Sequence, residues 1–251
     1  MCPHAQYGGY TVNGGFAEYV VADARYSPHI LDKLTSVAAA PLLCAGVTTY
    51  KGLKETEARP GQWVAIVGVG GLGHLAIQYA AAMGLHVVAV DVADDKLALA
   101  RDLGASFTIN SLTEDPVTVV GREIGGAHGV LITAPSLIAF RQGVGMTRRR
   151  GTCTLVGLPP GEFPLPLFDV VLKRITVRGS LVGTRNDMRE ALELAVSHGI
   201  YAHVETQRLG KINEVLDRLR HGKVQGRVVL DFADAQEREL VTPALAAVGV
   251  Q

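Results

Sequence analysis

The segment Gly68-Val69-Gly70-Gly71-Leu72-Gly73 decides the fold class of this chain. It follows a short apolar run, Trp63–Val67, of the kind found in a strand that is covered on both faces. It leads into apolar residues at helical spacing, which are Leu72, Leu75, Ala76, Tyr79, Ala80 and Met83. A glycine turn between a buried strand and a helix indicates the first crossover of a parallel α/β sheet.

Each glycine of this Gly-x-Gly-x-x-Gly pattern has its own steric role. Gly68 permits the tight turn, Gly70 lets the backbone approach a diphosphate, and Gly73 lets the helix pack closely on the strand. Gly71 and Leu72 complete the turn and open the helix, whose unpaired N–H groups attract phosphate. The pattern alone is weak, and a glycine-rich turn without a ligand is the alternative. Here the strand, the helix and a following acidic residue are all present, so we predict a dinucleotide site.

The acidic residue Asp91 predicts which dinucleotide is bound. It ends the next apolar run, His86–Val90, 23 positions after Gly68. A carboxylate at this point accepts hydrogen bonds from the hydroxyls of a ribose and repels a 2′-phosphate. At a separation of about 5 Å and an effective dielectric of about 20, that repulsion is about 3 kcal/mol per unit charge. The sequence therefore predicts NAD rather than NADP, with a solvated loop aspartate as the alternative.

The alternation of strand and helix continues past Asp91. Helices are predicted from Asp94 to Leu103 and from Ser136 to Met146. Further strands are predicted at Phe107–Ile109, Gly129–Thr133, Thr152–Val156 and Ile175–Arg178. Strands separated by helices in this way predict an α/β fold with a doubly wound parallel sheet over residues 47–182.

The segments before and after this core have different sequence patterns. Before it, the alternating residues 16–21 between glycine pairs predict antiparallel strand and turn. After it, helices are predicted at Asp187–Val196 and Ile212–Leu219, with a strand at Val228–Leu230. Residues 234–251 begin charged and end rich in alanine, which is typical of a loosely attached tail.

Composition limits the class of protein further. Of the 251 residues 48% are hydrophobic, which excludes disorder. The 24 basic residues balance 24 acidic ones, so the charge gives no support for binding nucleic acid or an anionic membrane. Residues 60–90 lack charge, but their central glycines favour a buried crossover over a membrane span. The odd number of cysteines, three, argues against a disulfide framework and predicts a cytoplasmic protein.

Several longer motifs occur together in this chain. They are Cys44–Tyr50, Arg59–Val64, Gly68–His74, Val156–Pro160 and Gly179–Arg185. Together they resemble the zinc-dependent alcohol dehydrogenases of the medium-chain type, in their bacterial, ethanol-oxidising branch, from Cys2 to about Phe232. The resemblance implies a Rossmann domain with parts of a GroES-like catalytic domain at both ends. It also implies NAD-dependent oxidation of a primary or secondary alcohol to an aldehyde or ketone.

The resemblance assigns roles to individual cofactor-binding residues. Thr48 is similar to the residue that flanks the nicotinamide, which makes it the candidate catalytic residue. Lys96 is similar to the partner of Asp91 at the adenosine ribose, and Arg227 to the arginine that meets the pyrophosphate. The residues similar to backbone contacts of the nicotinamide amide are Val156, Leu158 and Val182.

The resemblance also assigns two metal ligands. Cys44 is similar to the third protein ligand of a catalytic zinc, although by composition alone it reads as a small buried hydrophobe. Cys2 is similar to the last of four cysteines around a structural zinc. The family's chain extends further at its N-terminus, where the remaining ligands lie. Because a catalytic zinc needs three protein ligands and an open position, we expect a truncated chain that retains no zinc and is inactive alone.

On this resemblance the chain divides into four parts. Residues 1–46 are a remnant of the catalytic domain, 47–182 the NAD-binding domain, 183–233 a return to the catalytic domain, and 234–251 a tail. The expected partners are a small alcohol or aldehyde and further copies of the chain in a dimer or tetramer. The edge strand Ile175–Gly179 is predicted to pair across the dimer.

The sequence leaves three other interpretations. One is a non-catalytic NAD-binding module. Another is an unstable remnant, since exposed apolar surface around Leu42 and Leu43 favours aggregation. A methyltransferase on the same sheet is disfavoured because the dehydrogenase motifs continue to Arg227. One local departure is Arg148-Arg149-Arg150 before Gly151, where the family usually has a glycine near position 150, and we expect it to perturb the turn into the strand.

Overall fold

The computed structural model describes residues 4–232, and its centre is a sheet of six strands. The strands are β1 (Trp63–Val67), β2 (His86–Asp91), β3 (Phe107–Asn110), β4 (Ala127–Ile132), β5 (Thr147–Leu155) and β6 (Thr176–Gly179). They lie in the order β3-β2-β1-β4-β5-β6, and every pairing is parallel. The predicted doubly wound Rossmann sheet is confirmed, with its change of direction between β1 and β4.

Helices cover both faces of this sheet. The α-helices of the described residues are α1 (Ser36–Pro41), α2 (Val47–Glu55), α3 (Gly73–Ala82), α4 (Asp94–Asp102), α5 (Pro116–Ile124), α6 (Leu137–Met146), α7 (Leu167–Lys173), α8 (Arg185–His198) and α9 (Ile212–Arg220). Helices α2, α3 and α8 pack on one face, and α5 and α6 on the other. None of the helices within residues 4–232 is long and apolar enough to cross a bilayer.

The side chains of β1 show why the strand sequence is continuously apolar. Val64 and Ile66 belong to one core, with residues of α2, α3 and α8. Ala65 and Val67 belong to a second core, with residues of α5 and α6. Because successive side chains of a strand point to opposite faces, a strand covered by helices on both sides has no position left for a polar residue.

A second, smaller sheet follows the main one in sequence. Strands β7 (Val204–Gln207) and β8 (Arg227–Leu230) pair in parallel, with Val204 opposite Arg227. The pattern predicted β8 but not β7, because Val204–Gln207 has only one strongly apolar residue. Helices α1, α2, α5 and α7 were also not predicted.

The predicted antiparallel strand at residues 16–21 is wrong. Residues 4–35 contain an isolated bridge between Gly8 and Val12 and a short 3-10 helix at Ala24–Tyr26, but no strand. A strand requires a neighbouring strand for its hydrogen bonds, and Tyr19 of this segment is 90% exposed. The predicted tail, residues 234–251, lies outside the described residues.

The three arginines lie within the first part of β5 rather than in a turn before it, and this part of the strand is irregular. Its register against β4 shifts between Ala127 and Gly129, and Arg150 has a φ of 62°. A side chain in this left-handed region costs about 1–2 kcal/mol relative to the right-handed one, a cost that glycine does not have.

Arg150→Gly is therefore expected to stabilise the chain by about 0.5–1 kcal/mol, after subtracting the larger entropy that glycine has in the unfolded state. Thermal unfolding should show a rise in the melting temperature of about 2 °C. Arg149→Gly is the control, because Arg149 does not have positive φ and donates a hydrogen bond to the Leu172 carbonyl. Equal destabilisation by both changes would contradict the assignment of strain to Arg150.

Candidate cofactor site

The glycine turn lies at the carboxyl end of β1, where the direction of the strand order changes. Gly68 has a φ of 96°, and a Cβ there would lie 2.8 Å from the backbone nitrogen of Ala134. A Cβ on Gly73 would overlap the carbonyl oxygen of Gly68. A Cβ on Gly70, in contrast, would meet no atom within 4 Å. Gly68 and Gly73 are thus required by the packing of the turn, whereas Gly70 faces open space from which a ligand can approach.

The carboxylate of Asp91 is fixed beside this turn. Its Oδ2 accepts a hydrogen bond of 2.6 Å from the N–H of Val69. Its Oδ1 accepts hydrogen bonds from the N–H groups of Val92 (2.8 Å) and Ala93 (3.1 Å). A carboxylate has about four lone-pair positions, so acceptor capacity remains for a hydroxyl group. Lys96, half-buried, follows in the first turns of α4.

Arg227 approaches the turn from the far end of the chain. It is the first residue of β8, and a Cβ on Gly71 would lie 3.0 Å from its Cδ and 3.1 Å from its Nη1. The guanidinium group is thus next to the N-terminal end of α3, where unpaired N–H groups and the helix dipole already favour an anion.

The residues assigned to the nicotinamide follow the neighbouring strands along the same edge of the sheet. Val156 follows β5, and its N–H donates to the Ile132 carbonyl. Leu158, two residues later, is 85% exposed. Val182 follows β6 and has a φ of 47°, an outlier for a β-branched residue.

Helix α2 packs against these segments and carries Thr48, which is buried. A Cβ on Gly52 of α2 would lie 3.3 Å from a methyl carbon of Val156. A Cβ on Gly183 would lie 2.6 Å from a methyl carbon of Val47. The fold therefore brings α2 close to the ends of both β5 and β6, although these elements are far apart in the sequence.

Cys44 lies in a π-helical segment, Leu42–Gly46, between α1 and α2. It is exposed, so it is not the buried hydrophobe that composition alone suggested. In residues 4–232 no group of three or more His, Cys, Asp or Glu side chains could hold a metal ion. Cys2 lies outside the described residues. One thiol does not fit the three-ligand requirement of a catalytic zinc.

The histidine that follows the last glycine of the turn was not predicted to have a structural role. His74 is 1% exposed and lies on α3 among apolar side chains. Burial lowers the pKa of its imidazole to about 4, against a smaller opposing effect of its hydrogen bond with the Gly70 carbonyl. The signal that could have found it is the i, i+4 spacing of His74 and Gln78, two polar residues on one face of an otherwise apolar helix.

The parallel sheet with a glycine turn at its first crossover defines the class of this chain: it is a Rossmann-fold protein. Comparisons narrow the class. Residues 71–197 match the family model of zinc-binding dehydrogenases. The chain therefore belongs to the zinc-type alcohol dehydrogenases of the medium-chain family, an oxidoreductase family.

Individual relatives support this membership. The chain is 53% identical over 232 residues to an alcohol dehydrogenase of Moraxella sp. (strain TAE123), which is 92% of this chain and 69% of the relative. It is 53% identical over 234 residues to an alcohol dehydrogenase of Geobacillus stearothermophilus, covering 93% and 69% of the two chains.

Solved structures give the same result. The alcohol dehydrogenase of the archaeon Aeropyrum pernix is 34% identical with a TM-score of 0.84, over 91% of this chain and 68% of that one. The acetophenone reductase of Geotrichum candidum, solved in complex with NAD, is 29% identical with a TM-score of 0.78, over 88% and 63%.

Proposed function

We propose that this chain binds NAD around the glycine turn and does not by itself catalyse the alcohol oxidation of its family. The geometry of the turn is the observation that supports NAD binding. Gly68 and Gly73 are packed against other backbone atoms, whereas the position of Gly70 opens to solvent and Arg227 lies beside Gly71. A diphosphate needs an open backbone approach and a nearby positive charge.

Different residues of the site would bind different parts of NAD. The turn and the N-terminus of α3 would bind the diphosphate together with Arg227. Asp91 and Lys96 would bind the adenosine ribose. Thr48 would flank the nicotinamide. The carboxamide of the nicotinamide would contact the backbone of three residues after β5 and β6, namely Val156, Leu158 and Val182. In the complete enzymes of the family, bound NAD would accept the hydride when a primary or secondary alcohol is oxidised to an aldehyde or ketone.

Inactivity follows from the number of metal ligands. In the family a zinc ion lowers the pKa of the alcohol and requires three protein ligands. Cys44 would be one of them, and residues 4–232 provide no group that completes the site. Cys2 would likewise be one ligand of a structural zinc. We therefore propose that neither zinc is retained in this chain.

Three measurements on the purified 251-residue chain test the proposal. Titration with NADH, followed by its fluorescence, is expected to saturate. Metal analysis is expected to find zinc well below one ion per chain. Ethanol with NAD is expected to produce no NADH. Absence of saturation would refute NAD binding, and stoichiometric zinc or ethanol-dependent NADH formation would refute the inactivity.

Asp91→Ala tests the choice of dinucleotide. Removing the carboxylate is expected to weaken NADH binding and to strengthen NADPH binding, because a repulsion of about 3 kcal/mol with the 2′-phosphate disappears. The ratio of the two dissociation constants should shift by about 100-fold. Asp94→Ala, on the first turn of α4 and bonded to Asn110, is the control and should leave the ratio unchanged. An unchanged ratio in Asp91→Ala would contradict the role of the carboxylate.

We also propose that the chain divides into residues 1–46, 47–182, 183–233 and 234–251, as the resemblance implies.

We further propose a homo-oligomer that forms through β6. This strand is at one end of the sheet order, and Leu167, Phe168 and Val171 of α7 are exposed. A second copy that paired with β6 would satisfy its free backbone groups. Sedimentation equilibrium is expected to show a dimer or tetramer. A monomer at micromolar concentration would refute this assembly.

A further inference from the structure

We propose that His74 and Gln78 of α3 are positioning residues for the cofactor diphosphate, because they hold the β7–β8 strand pair where Arg227 lies over the glycine turn. This inference rests on the proposed NAD binding. Both side chains are buried, so neither is placed to touch the ligand itself. Their effect on binding would pass through Arg227.

His74 joins the glycine turn to the segment before β7. Its Nδ1 is 2.9 Å from the carbonyl oxygen of Gly70, and its Nε2 is 3.3 Å from the backbone nitrogen of His203. A carbonyl can only accept and an N–H can only donate, so Nδ1 carries the hydrogen and Nε2 is the acceptor. The imidazole is therefore neutral, in agreement with the pKa that burial lowers to about 4.

Gln78, one helical turn later, binds the same segment. Its amide donates a hydrogen bond of 2.8 Å to the carbonyl of Tyr201 and accepts one of 3.1 Å from the N–H of that residue. The amide nitrogen also lies 3.0 Å from the carbonyl of His74. The side chain thus pairs with both backbone groups of Tyr201, as a neighbouring strand would. Three hydrogen bonds from α3 side chains fix residues 201–203.

The backbone then carries this placement to the arginine. The N–H of Arg227 donates to the carbonyl of His203 over 2.8 Å, next to the Val204–Arg227 pair of the small sheet. A Cβ on Gly226 would overlap the His203 carbonyl oxygen, so the two segments are in close contact. The connections begin at Gly70, pass through His74, His203 and Arg227, and return to the turn at Gly71.

Fixing the arginine in advance matters because its side chain is long. An arginine side chain loses rotamer entropy when it is immobilised, and a backbone that also moved would add to this cost. A backbone that is already placed leaves only the side chain to be ordered when the diphosphate arrives. The structure thus assigns part of the affinity for the diphosphate to two residues that do not contact it.

Two substitutions of His74 separate its hydrogen bonds. The Nδ2 of asparagine occupies about the place of Nδ1, so His74→Asn keeps the donor to Gly70 and loses the acceptor for His203. The Oε1 of glutamine reaches about the place of Nε2, so His74→Gln keeps that acceptor. NADH titration is expected to show about tenfold weaker binding for His74→Asn. Binding by His74→Gln is expected to stay within about threefold of the wild type.

A double-mutant cycle tests whether His74 acts through Arg227. Arg227→Gln alone is expected to weaken NADH binding by at least about tenfold. Adding His74→Asn to Arg227→Gln is then expected to change the dissociation constant by less than about twofold, because the arginine to be positioned is gone. His128→Asn is the matched control, since His128 accepts a backbone N–H from Trp63 at the opposite end of the sheet, and it should leave NADH binding unchanged.

The outcomes distinguish this inference from the proposed function. No saturation of the wild-type chain with NADH would overturn both. Saturation by the wild type with independent effects of His74→Asn and Arg227→Gln would overturn the positioning role alone. If His74→Asn does not fold, Gln78→Met replaces it, because it removes both hydrogen bonds to Tyr201 while keeping a side chain of similar length. Gln78→Met is also expected to weaken NADH binding only when Arg227 is present. An equal effect of Gln78→Met with and without Arg227→Gln would overturn the inference.

Discussion

Gly73→Ala is expected to weaken NADH binding by more than about 100-fold and to destabilise the chain by about 3 kcal/mol. A Cβ at this position would overlap the carbonyl oxygen of Gly68 and lie 2.8 Å from its carbonyl carbon. Both atoms belong to the backbone of the same turn, so no side chain can rotate away to make room. The turn must open, which separates α3 from β1 and removes the N–H groups that would face the diphosphate.

Two other glycines provide the controls for Gly73→Ala. Gly70→Ala adds a methyl group into open space, so NADH binding should fall about tenfold while the melting temperature stays within about 1 °C. Gly121→Ala, on α5 and also without a neighbour within 4 Å, should stabilise the helix slightly and leave binding unchanged. NADH binding by Gly73→Ala at wild-type affinity would contradict the steric argument. Equal loss of stability in Gly70→Ala and Gly73→Ala would contradict it too.

Lys54→Met is expected to destabilise the chain by about 2–3 kcal/mol. Lys54 on α2 lies 2.9 Å from a carboxylate oxygen of Asp187 and 2.7 Å from one of Glu190, both on α8. The side chain of Asp187 is only 5% exposed. Without the lysine, two carboxylates would face each other with one of them buried, which is the costly way to break an ion pair. Urea unfolding and a fall in the melting temperature of about 5–10 °C would measure the loss.

Lys51→Met is the matched control, one turn earlier on the same helix. Its partner Glu55 is also paired with Arg178 at 3.0 Å, so no carboxylate is left without a cation. We expect a cost below about 1 kcal/mol. Equal destabilisation by the two lysine substitutions would refute the argument from the buried Asp187.

The pH dependence of stability provides a second readout of the same network. Burial alone would raise the pKa of Asp187, but hydrogen bonds from Lys54 and Thr184 outweigh it and lower the pKa to about 2. The stability that this ionised group contributes is therefore complete above the ordinary value of 3.8 and is lost as the pH falls through about 2. In Lys54→Met the part of this contribution that comes from Lys54 is absent, so the difference in stability from the wild type should shrink between pH 5 and pH 2.

The core of the sheet could be predicted because its signals are local. The apolar run Trp63–Val67, the glycine turn and the helical stripe after it each define one element without reference to the rest of the chain. The same locality explains the error at residues 16–21. Their alternation is that of a strand, but a strand depends on a partner, and none of residues 4–232 pairs with them.

The parts of the candidate site that were not predicted depend on contacts between distant segments. His74 and Gln78 look like interruptions of an apolar helix until residues 201–203 are seen beside them. Strand β7 is too polar to be read from its pattern and exists through its pairing with β8. Cys44 lies in a π-helical segment, and no propensity in Leu42–Gly46 predicts that segment.

The separation between Gly71 and Arg227 along the chain also sets an order of events during translation. Strands β1, β2 and β3 are consecutive and adjacent, so a nascent polypeptide can pair them soon after they leave the ribosome. The guanidinium group beside the turn emerges only after all of the residues up to Arg227 have been synthesised. An arrested translation product that stops before β8 would carry the glycine turn without this arginine, so the proposed coenzyme affinity would be complete only once β8 has been added.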